Sequence, residues 1–499
     1  MNKYFYLLPM LSLPLQALTV ETRATHGVFY AGLEKQVCLQ IKVDAASGDV
    51  DKKITAFSFT TGKTTKATDI TKARLYKSTE NVFTLNTGDD NRRATELGVS
   101  AASSGSVSFA TNITIESAGT SYYWLTYDIA SNAKGDNKID GVCSAVKVSG
   151  TDVKATAKLG NYVKKRVYGT VYPFKNRIVP YYRTQWINDW NPNQLNSTHF
   201  KSFTDIIHFG YSFTQDGRVD NQWYNDGVEM MAYAKTAREK LKSLRGSAKS
   251  RIIAGFGHFH SESETAVYKP FKWFYEGNQN REDRKKIAKN TAKFLLDSGY
   301  DGIDLDWEYP DNLGEWIYMT QFIADLREEL AGSGLSVSMA STLSTSLPWH
   351  EVSDQLDFIN TMSYDVWANN ATQHSPMWLL QNDASTCHNT LKMPKSKIVL
   401  GLPFYTNRYG CLWDQVGWNT VISQHPNISP SVNQAVITTG NGTTWHSFNG
   451  ANLIKEKCKW VKDNGYGGVM IWAYDTDLQL THKMSLGKAM YSVIKQAKR

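Results

Sequence analysis

Asp304, Asp306 and Glu308 recur at a spacing of two within the run Asp301 to Pro310, DGIDLDWEYP. Alternate side chains of a β-strand share a face, so these three carboxyls line one side with Cβ atoms roughly 6 to 7 Å apart. Ile303, Leu305 and Trp307 take the other side. Three like charges that close cannot all ionise cheaply, so protons are shared and at least one pKa is pushed up. A carboxylic acid kept protonated at neutral pH is what general acid catalysis requires. The bland alternative is an edge strand whose acids face solvent.

The neighbouring segments speak against that alternative. Asp283 to Ser298 reads as an amphipathic helix, with Ile287, Thr291, Phe294 and Leu295 near helical spacing and Gly299 as a stop signal. Trp316, Met319, Ile323, Leu326 and Leu330 step by three and four along a second helix. Helix, strand, helix is the grammar of a parallel α/β sheet, whose strands are covered outside, so an inward row of acids lines a barrel interior or a cleft.

With Asp301, these acids fill all four places of DxxDxDxE, and the segment resembles the signature of family 18 glycoside hydrolases, the chitinase family, at the end of the fourth barrel strand. Trp307, Tyr309 and Pro310 flank it consistently, and Tyr309 is expected near the substrate. Asn360 to Asp365, NTMSYD, is similar to the family's MxYD at the end of the sixth strand. The resemblance implies that Tyr364 and Asp365 hold the acetamido group of the bound sugar, with Met362 also turned inward. Trp472 in GGVMIWAYD matches the tryptophan that floors the subsite next to cleavage, and Tyr181 and Tyr405 match aromatic positions at the ends of the first and seventh strands.

The mechanism implied is substrate-assisted, one of the exceptions among retaining glycosidases. The 2-acetamido carbonyl attacks its own anomeric carbon to give an oxazolinium ion, helped by being held in place. In that scheme Glu308 protonates the leaving oxygen and then activates water, Asp306 holds the acetamido N–H and offsets positive charge, and Asp304 shares a proton with Asp306. Asp301, of opposite parity, is expected to serve strand or loop geometry. For Asp304 and Asp301, structural and catalytic roles both stand open.

The pattern also departs from the family. Where the third strand usually ends in SxGG, this chain has Gly255-Phe256-Gly257-His258, followed by His260. The two histidines have no third partner of metal-ligand spacing, so no metal and no cofactor is expected. The stretch from Tyr405 to Trp460 is shorter than a full groove-wall insertion, which predicts a shallower, more open cleft.

A chain of 499 residues with 41% hydrophobic content holds more than one barrel of about 250 residues. The expected fold class is α/β, a (β/α)8 TIM barrel over 165–499 preceded by an all-β sandwich-like accessory domain over 18–160. Residues 18 to about 160 hold one tryptophan, Trp124, and the other fourteen fall from Trp186 onward. Strand-like runs at Ile54 to Thr60, Ala73 to Lys77, Val107 to Ile115 and Tyr122 to Ile129 are separated by Gly, Asn and Asp turns. The phrase ATDITKARLYKS is faintly similar to N-terminal sandwich modules of some secreted bacterial sialidases. Lysine-rich Val153 to Arg166 reads as the linker. Barrel strands are expected at Arg177 to Tyr182, Asp205 to Phe213, Arg251 to Phe256, Gly302 to Glu308, Ser336 to Ser341, Phe358 to Tyr364, Ile398 to Pro403 and Gly468 to Trp472.

Met1 to Ala17 reads as a signal peptide, which predicts a secreted or periplasmic protein. No other stretch approaches the ~20 apolar residues of a membrane span, so no integral membrane segment is expected. Of the five cysteines, Cys38 and Cys143 suggest a staple of the N-terminal domain, and two of Cys387, Cys411 and Cys458 a pair in the barrel. The formal charge of +8 is spread with acids interleaved, which speaks against a nucleic-acid surface. The 12% aromatic content suits sugar faces, although most barrel tryptophans are core material. The expected partner is chitin or an N-acetylglucosamine oligosaccharide, bound by a monomer. Alternatives are an endo-β-N-acetylglucosaminidase acting on N-glycan cores, a non-catalytic chitin-binding lectin, and a divalent-metal enzyme using the acid row as ligands.

Overall fold

The computed structural model describes residues 17–85, 91–102, 104–183, 195–213, 217–220, 227–257, 280–308, 310, 312–341, 350–366, 373–411 and 414–495. The expected signal peptide, Tyr309, and the His258 and His260 pair lie outside the described residues, apart from Ala17.

Eight parallel strands close into a barrel: β1 (Arg177–Arg183), β2 (Asp205–Phe213), β3 (Arg251–Gly257), β4 (Gly302–Asp306), β5 (Ser336–Ser341), β6 (Phe358–Thr361), β7 (Ile398–Pro403) and β8 (Gly468–Trp472). Each strand pairs with the next, and β1 pairs with both β2 and β8, which closes the ring. Two strands are shorter than their sequence pattern suggests. β4 ends at Asp306 and β6 at Thr361, so Glu308, Tyr364 and Asp365 stand on the loops beyond the strand ends. These loops leave the ladder where Glu308 and Asp365 must turn over the mouth, and Asp365 takes a φ of 61° to do so.

The period-two pattern sorts the strands into two cores. Ile303, Leu305, Val337, Met339, Leu400 and Ile471 pack outward against the helices. Val179, Tyr181, Ile207, Phe209, Tyr364 and Met470 fill the lumen, with Met362 and Trp472 against them. The helix Arg281–Ser298 starts at Asn280, whose side chain caps Asp283 N–H at 2.8 Å, and stops at Gly299 with φ 66°. These are the capping and left-handed stop that its ends call for. Helix Leu313–Glu329 follows β4 and buries Trp316, Met319, Phe322, Ile323 and Leu326.

The N-terminal region is all-β. A six-stranded sheet (19–23, 36–45, 70–78, 95–101, 119–129 and 156–157) faces a four-stranded one (53–60, 106–114, 142–148 and 151–154). Ile41, Phe57, Leu75, Phe109, Leu125 and Val146 pack between them. The lysine-rich stretch is not a free linker. Thr151–Lys154 and Thr156–Ala157 are strands of these sheets, because their backbone is paired while the lysine heads stay in water. Residues 158 to 167 then run against the barrel, with Gly160 N–H bonded to Ala331 O and Val167 N–H to Gly332 O. Nor is the expected staple formed, since all five cysteines are free thiols. Cys38 and Cys143 belong to different sheets, and the Cys143 thiol donates to Ala145 O instead.

The sandwich sits on the bottom and flank of the barrel, away from the C-terminal ends of the strands. Tyr30 donates to Asp357 O and accepts from Arg177, Asn81 bonds Asp325 at 3.0 Å, and Arg92 pairs with Glu351 at 2.6 Å. No helix among the described residues is long and apolar enough to cross a membrane.

Candidate active site

The C-terminal mouth of the barrel gathers two hydrogen-bonded groups of side chains. The deeper one centres on Asp304, fully buried on the inward face of β4. Its carboxyl accepts from Tyr181 Oη on β1 at 2.5 Å, Ser338 Oγ on β5 at 2.5 Å and Asn360 Nδ2 on β6 at 3.1 Å. Burial raises its pKa to about 6, held from going higher by these three donors.

Asp306 stands one strand period above it, almost fully buried. Its Oδ1 has no hydrogen-bond partner among the described residues. Burial pushes its pKa well up, and the charges of Glu308 and Asp304 push it further. Glu308 comes next, half-buried on the loop after β4. Its charge also acts on Tyr405, whose pKa is raised first by burial, then by Asp365. Glu308 therefore stands in electrostatic reach of both groups.

The rim group centres on Asp365. Its Oδ1 accepts from Tyr405 Oη at 2.6 Å and Asn407 Nδ2 at 2.5 Å, and lies 3.2 Å from His374 Nδ1. Tyr364 projects into the lumen, its ring edge-on to Tyr405 at 6.0 Å and its hydroxyl 3.8 Å from the Met470 sulfur. Gly401 on β7 makes room for this ring, since a Cβ there would lie 2.3 Å from Thr361 O and 2.9 Å from Tyr364.

Trp472 ends β8, partly exposed, with its indole edge-on to Tyr181 at 5.5 Å and Phe209 at 5.2 Å. Arg183, at the end of β1, lies 5.9 Å from that ring and is held by Asp475 at 2.6 Å. Gly257 on β3 leaves space for Phe209, because a Cβ would meet its ring at 2.1 Å. The altered third-strand ending thus still presents glycine to the lumen.

Nine of the ten site residues expected from sequence, all but Tyr309, are therefore gathered at one end of one barrel. Asp301 is apart from them: it accepts from Ile252 N–H and Arg245 at the foot of β4, which is strand geometry. Sequence reading missed Ser338, Asn360, His374 and Asn407. Ser338 was accessible through its alternation with Val337 and Met339, and Asn360 through its shared parity with Met362 and Tyr364. His374 lies on a returning loop and Asn407 on a two-residue strand, Asn407–Arg408, beyond β7, and neither leaves a periodic signal. Among the described residues no three His, Cys, Asp or Glu side chains gather as a metal site.

Residues 177–477 match the family described as "Glycosyl hydrolases family 18". The chain is similar to an endochitinase of Brugia malayi, 23% identical over 58% of this chain and 65% of the relative. It is also similar to endochitinase 1 of Metarhizium robertsii, 27% identical over 39% of this chain and 56% of the relative. The chain thus spans under two thirds of these relatives' lengths. Among solved structures, a chitinase from Bacteroides thetaiotaomicron superposes with a TM-score of 0.50 at 19% identity, over 64% of this chain and 96% of that one. A mutant class V chitinase from Cycas revoluta, solved with (GlcNAc)3, gives 0.50 at 17% over 64% and 99%.

Proposed function

This chain belongs to glycosyl hydrolase family 18, and from that premise we propose that it cleaves β-1,4-N-acetylglucosamine linkages of chitin or chito-oligosaccharides with retention, through substrate assistance. The observation that carries the reading is Asp306, a buried carboxyl with an unpartnered oxygen and a raised pKa, between Asp304 and Glu308.

The sugar whose bond breaks rests on Trp472, whose ring is the partly exposed floor of the lumen. Its acetamido N–H donates to Asp306 Oδ1, and Tyr364 and Asp365 bound the acetamido group from the rim. So held, the acetamido oxygen attacks C1 as the glycosidic C–O bond breaks. Glu308 gives its proton to the leaving oxygen, and the electron pair of the broken bond stays on that oxygen. Positive charge spreads over the oxazolinium ring, and the acid row is the nearest source of negative charge. Glu308, now ionised, takes a proton from water, whose oxygen attacks C1 on the face the leaving group vacated. The oxazolinium opens back to the acetamide, and the product keeps the β configuration.

A deep pair kept partly protonated suits this sequence, because the row then holds fewer than three negative charges before substrate binds. Export is part of the proposal: the leader read over Met1–Ala17 predicts a mature chain beginning at Leu18, checked by N-terminal sequencing of protein recovered from the medium.

Early products from chitin hexamer, followed by proton NMR of the anomeric signal, test the reaction. The expected first product is the β anomer, and a hexamer stripped of its N-acetyl groups is not cleaved. An α product, or equal turnover of the deacetylated hexamer, overturns the mechanism; release from a high-mannose glycoprotein but not from the hexamer overturns the substrate.

A further inference from the structure

Beside the mouth, an exposed sheet carries an aromatic pair that the chemistry above does not use. Strands Asn407–Arg408, Gly442–Ser447 and Gln434–Thr439 form a three-stranded antiparallel sheet, with Gly442–Ser447 in the middle. Asn407 lies opposite Ser447, and both belong to the rim. Asn407 donates to Asp365, and Ser447 Oγ accepts from His374 N–H at 3.1 Å.

Opposed residues of antiparallel strands project to one face, and the pair two residues along projects with them. That next pair is Tyr409 and Trp445, joined by Tyr409 N–H to Trp445 O at 3.1 Å. One strand period, roughly 6.5 to 7 Å, separates it from the rim pair.

The other face of this sheet is packed, with Ala435, Ile437 and His446 buried. On the outer face Trp445 is 49% exposed, and Val436 opposite it 39%. The Tyr409 and Trp445 rings lie within 21° of parallel with centroids 6.5 Å apart. That spacing is wide for stacked rings, so they are displaced sideways and widen one apolar surface. The Tyr409 hydroxyl donates to Gln434, which fixes the ring's angle.

We propose that Tyr409 and Trp445 form a platform for a distal sugar of the bound β-linked N-acetylhexosamine chain, one strand period beyond the Asp365 rim. The proposal rests on the function proposed above and adds to it a preference for long chains. A pyranose ring presents an apolar CH face that matches a flat aromatic surface, and near-parallel rings admit it without induced change. Chains too short to reach past the rim gain nothing from the platform.

The test uses the full-length protein with Glu308→Gln, so that ligand is not consumed, titrated calorimetrically with chitin hexamer and dimer. Adding Trp445→Ala is expected to weaken hexamer binding about tenfold, as loss of one aromatic contact implies. Dimer binding should change less than twofold, and Trp445→Phe should restore most of the hexamer affinity. Equal hexamer affinity with and without Trp445, or the same loss for hexamer and dimer, overturns the platform alone. Failure of the Glu308→Gln protein with intact Trp445 to bind any chitin oligomer overturns the platform together with the function beneath it.

Discussion

Buried aspartates stand at both ends of this barrel and are driven in opposite directions. At the bottom, Asp205 on β2 is fully buried, yet its pKa is lowered to about 2. Arg177 and Arg251 pair with it at 2.7 and 2.6 Å, and Thr204 and Tyr172 donate as well. At the top, Asp304 is equally buried, has three neutral donors and, among the described residues, no cation paired with it, and is raised to about 6, while the Oδ1 of Asp306 above it has no donor among them. Burial alone raises a carboxyl, so the partners decide the direction. The bottom network ties the strands to each other and, through Arg177 and Tyr30, to the sandwich. The top is left under-compensated, which is the condition in which a proton is available for chemistry and a ligand is needed to complete the site.

Substitutions at the two ends should therefore separate activity from stability. The largest effect is expected from Glu308→Gln: kcat on chitin hexamer falls about a thousandfold, in the range for loss of a general acid. Hexamer affinity and melting temperature stay near those of the original chain. Unchanged turnover would remove Glu308 as the acid.

Next comes Asp205→Asn, which leaves the buried Arg177 and the partly buried Arg251 guanidinium groups short of a counter-charge. Breaking such a pair costs about 3 to 5 kcal/mol, read from denaturant unfolding. The folded fraction should keep its turnover within about twofold, since Asp205 is at the far end from the mouth. A turnover loss without a stability loss would reverse the assignment of the two ends.

Asp304→Asn should do the opposite. Turnover drops at least about tenfold, while stability at pH 7 stays level or rises. The pH dependence gives the sign. The folded protein holds the Asp304 proton up to about pH 6, whereas the unfolded chain releases it near the ordinary value of about 3.9. The folded state binds more protons between those values, so this group's contribution to stability falls as pH rises from about 4 to about 6. Asparagine removes that decline. Asp205, with its pKa lowered, contributes stability that is present above about pH 4 and lost as pH falls toward 2. Melting temperatures across pH 2 to 8 for the original chain and both variants would show the two slopes with opposite signs. Parallel curves would contradict the comparison.

The smallest effect is expected at Arg183, which Asp475 holds beside the Trp472 ring. Arg183→Gln should raise KM a few-fold and change kcat by less than about twofold, as loss of a partly buried ion pair at the rim suggests. A fall in kcat with unchanged KM would make it part of the chemical step.

Much of the site was legible along the chain because strand parity is a local property. The spacing of Asp304, Asp306 and Glu308 fixed one shared face, and Ile303, Leu305 and Trp307 are indeed buried on the other. Four of the eight barrel strands, β2, β5, β7 and β8, match the expected bounds at both ends. Where the pattern overran, at Glu308 and Tyr364, side-chain alternation continued past the last ladder hydrogen bond, and composition does not mark that point. The lysine-rich stretch misled for the converse reason: its charged side chains look like a solvated linker while its backbone pairs in the sheets.

The sequence by itself settled which residues share a strand face, that the acids form a row, and that the row belongs to a covered parallel sheet, since periods of two and 3.6 are written residue by residue. Only the closed barrel decided that Tyr181, Ser338 and Asn360, from three other strands, meet Asp304. It also decided that His374 and Asn407 return to Asp365, and that Asp205 has paired cations where the Asp306 Oδ1 has no partner among the described residues. These are contacts between residues distant in the chain, set by ring closure and loop return, and no local pattern encodes them.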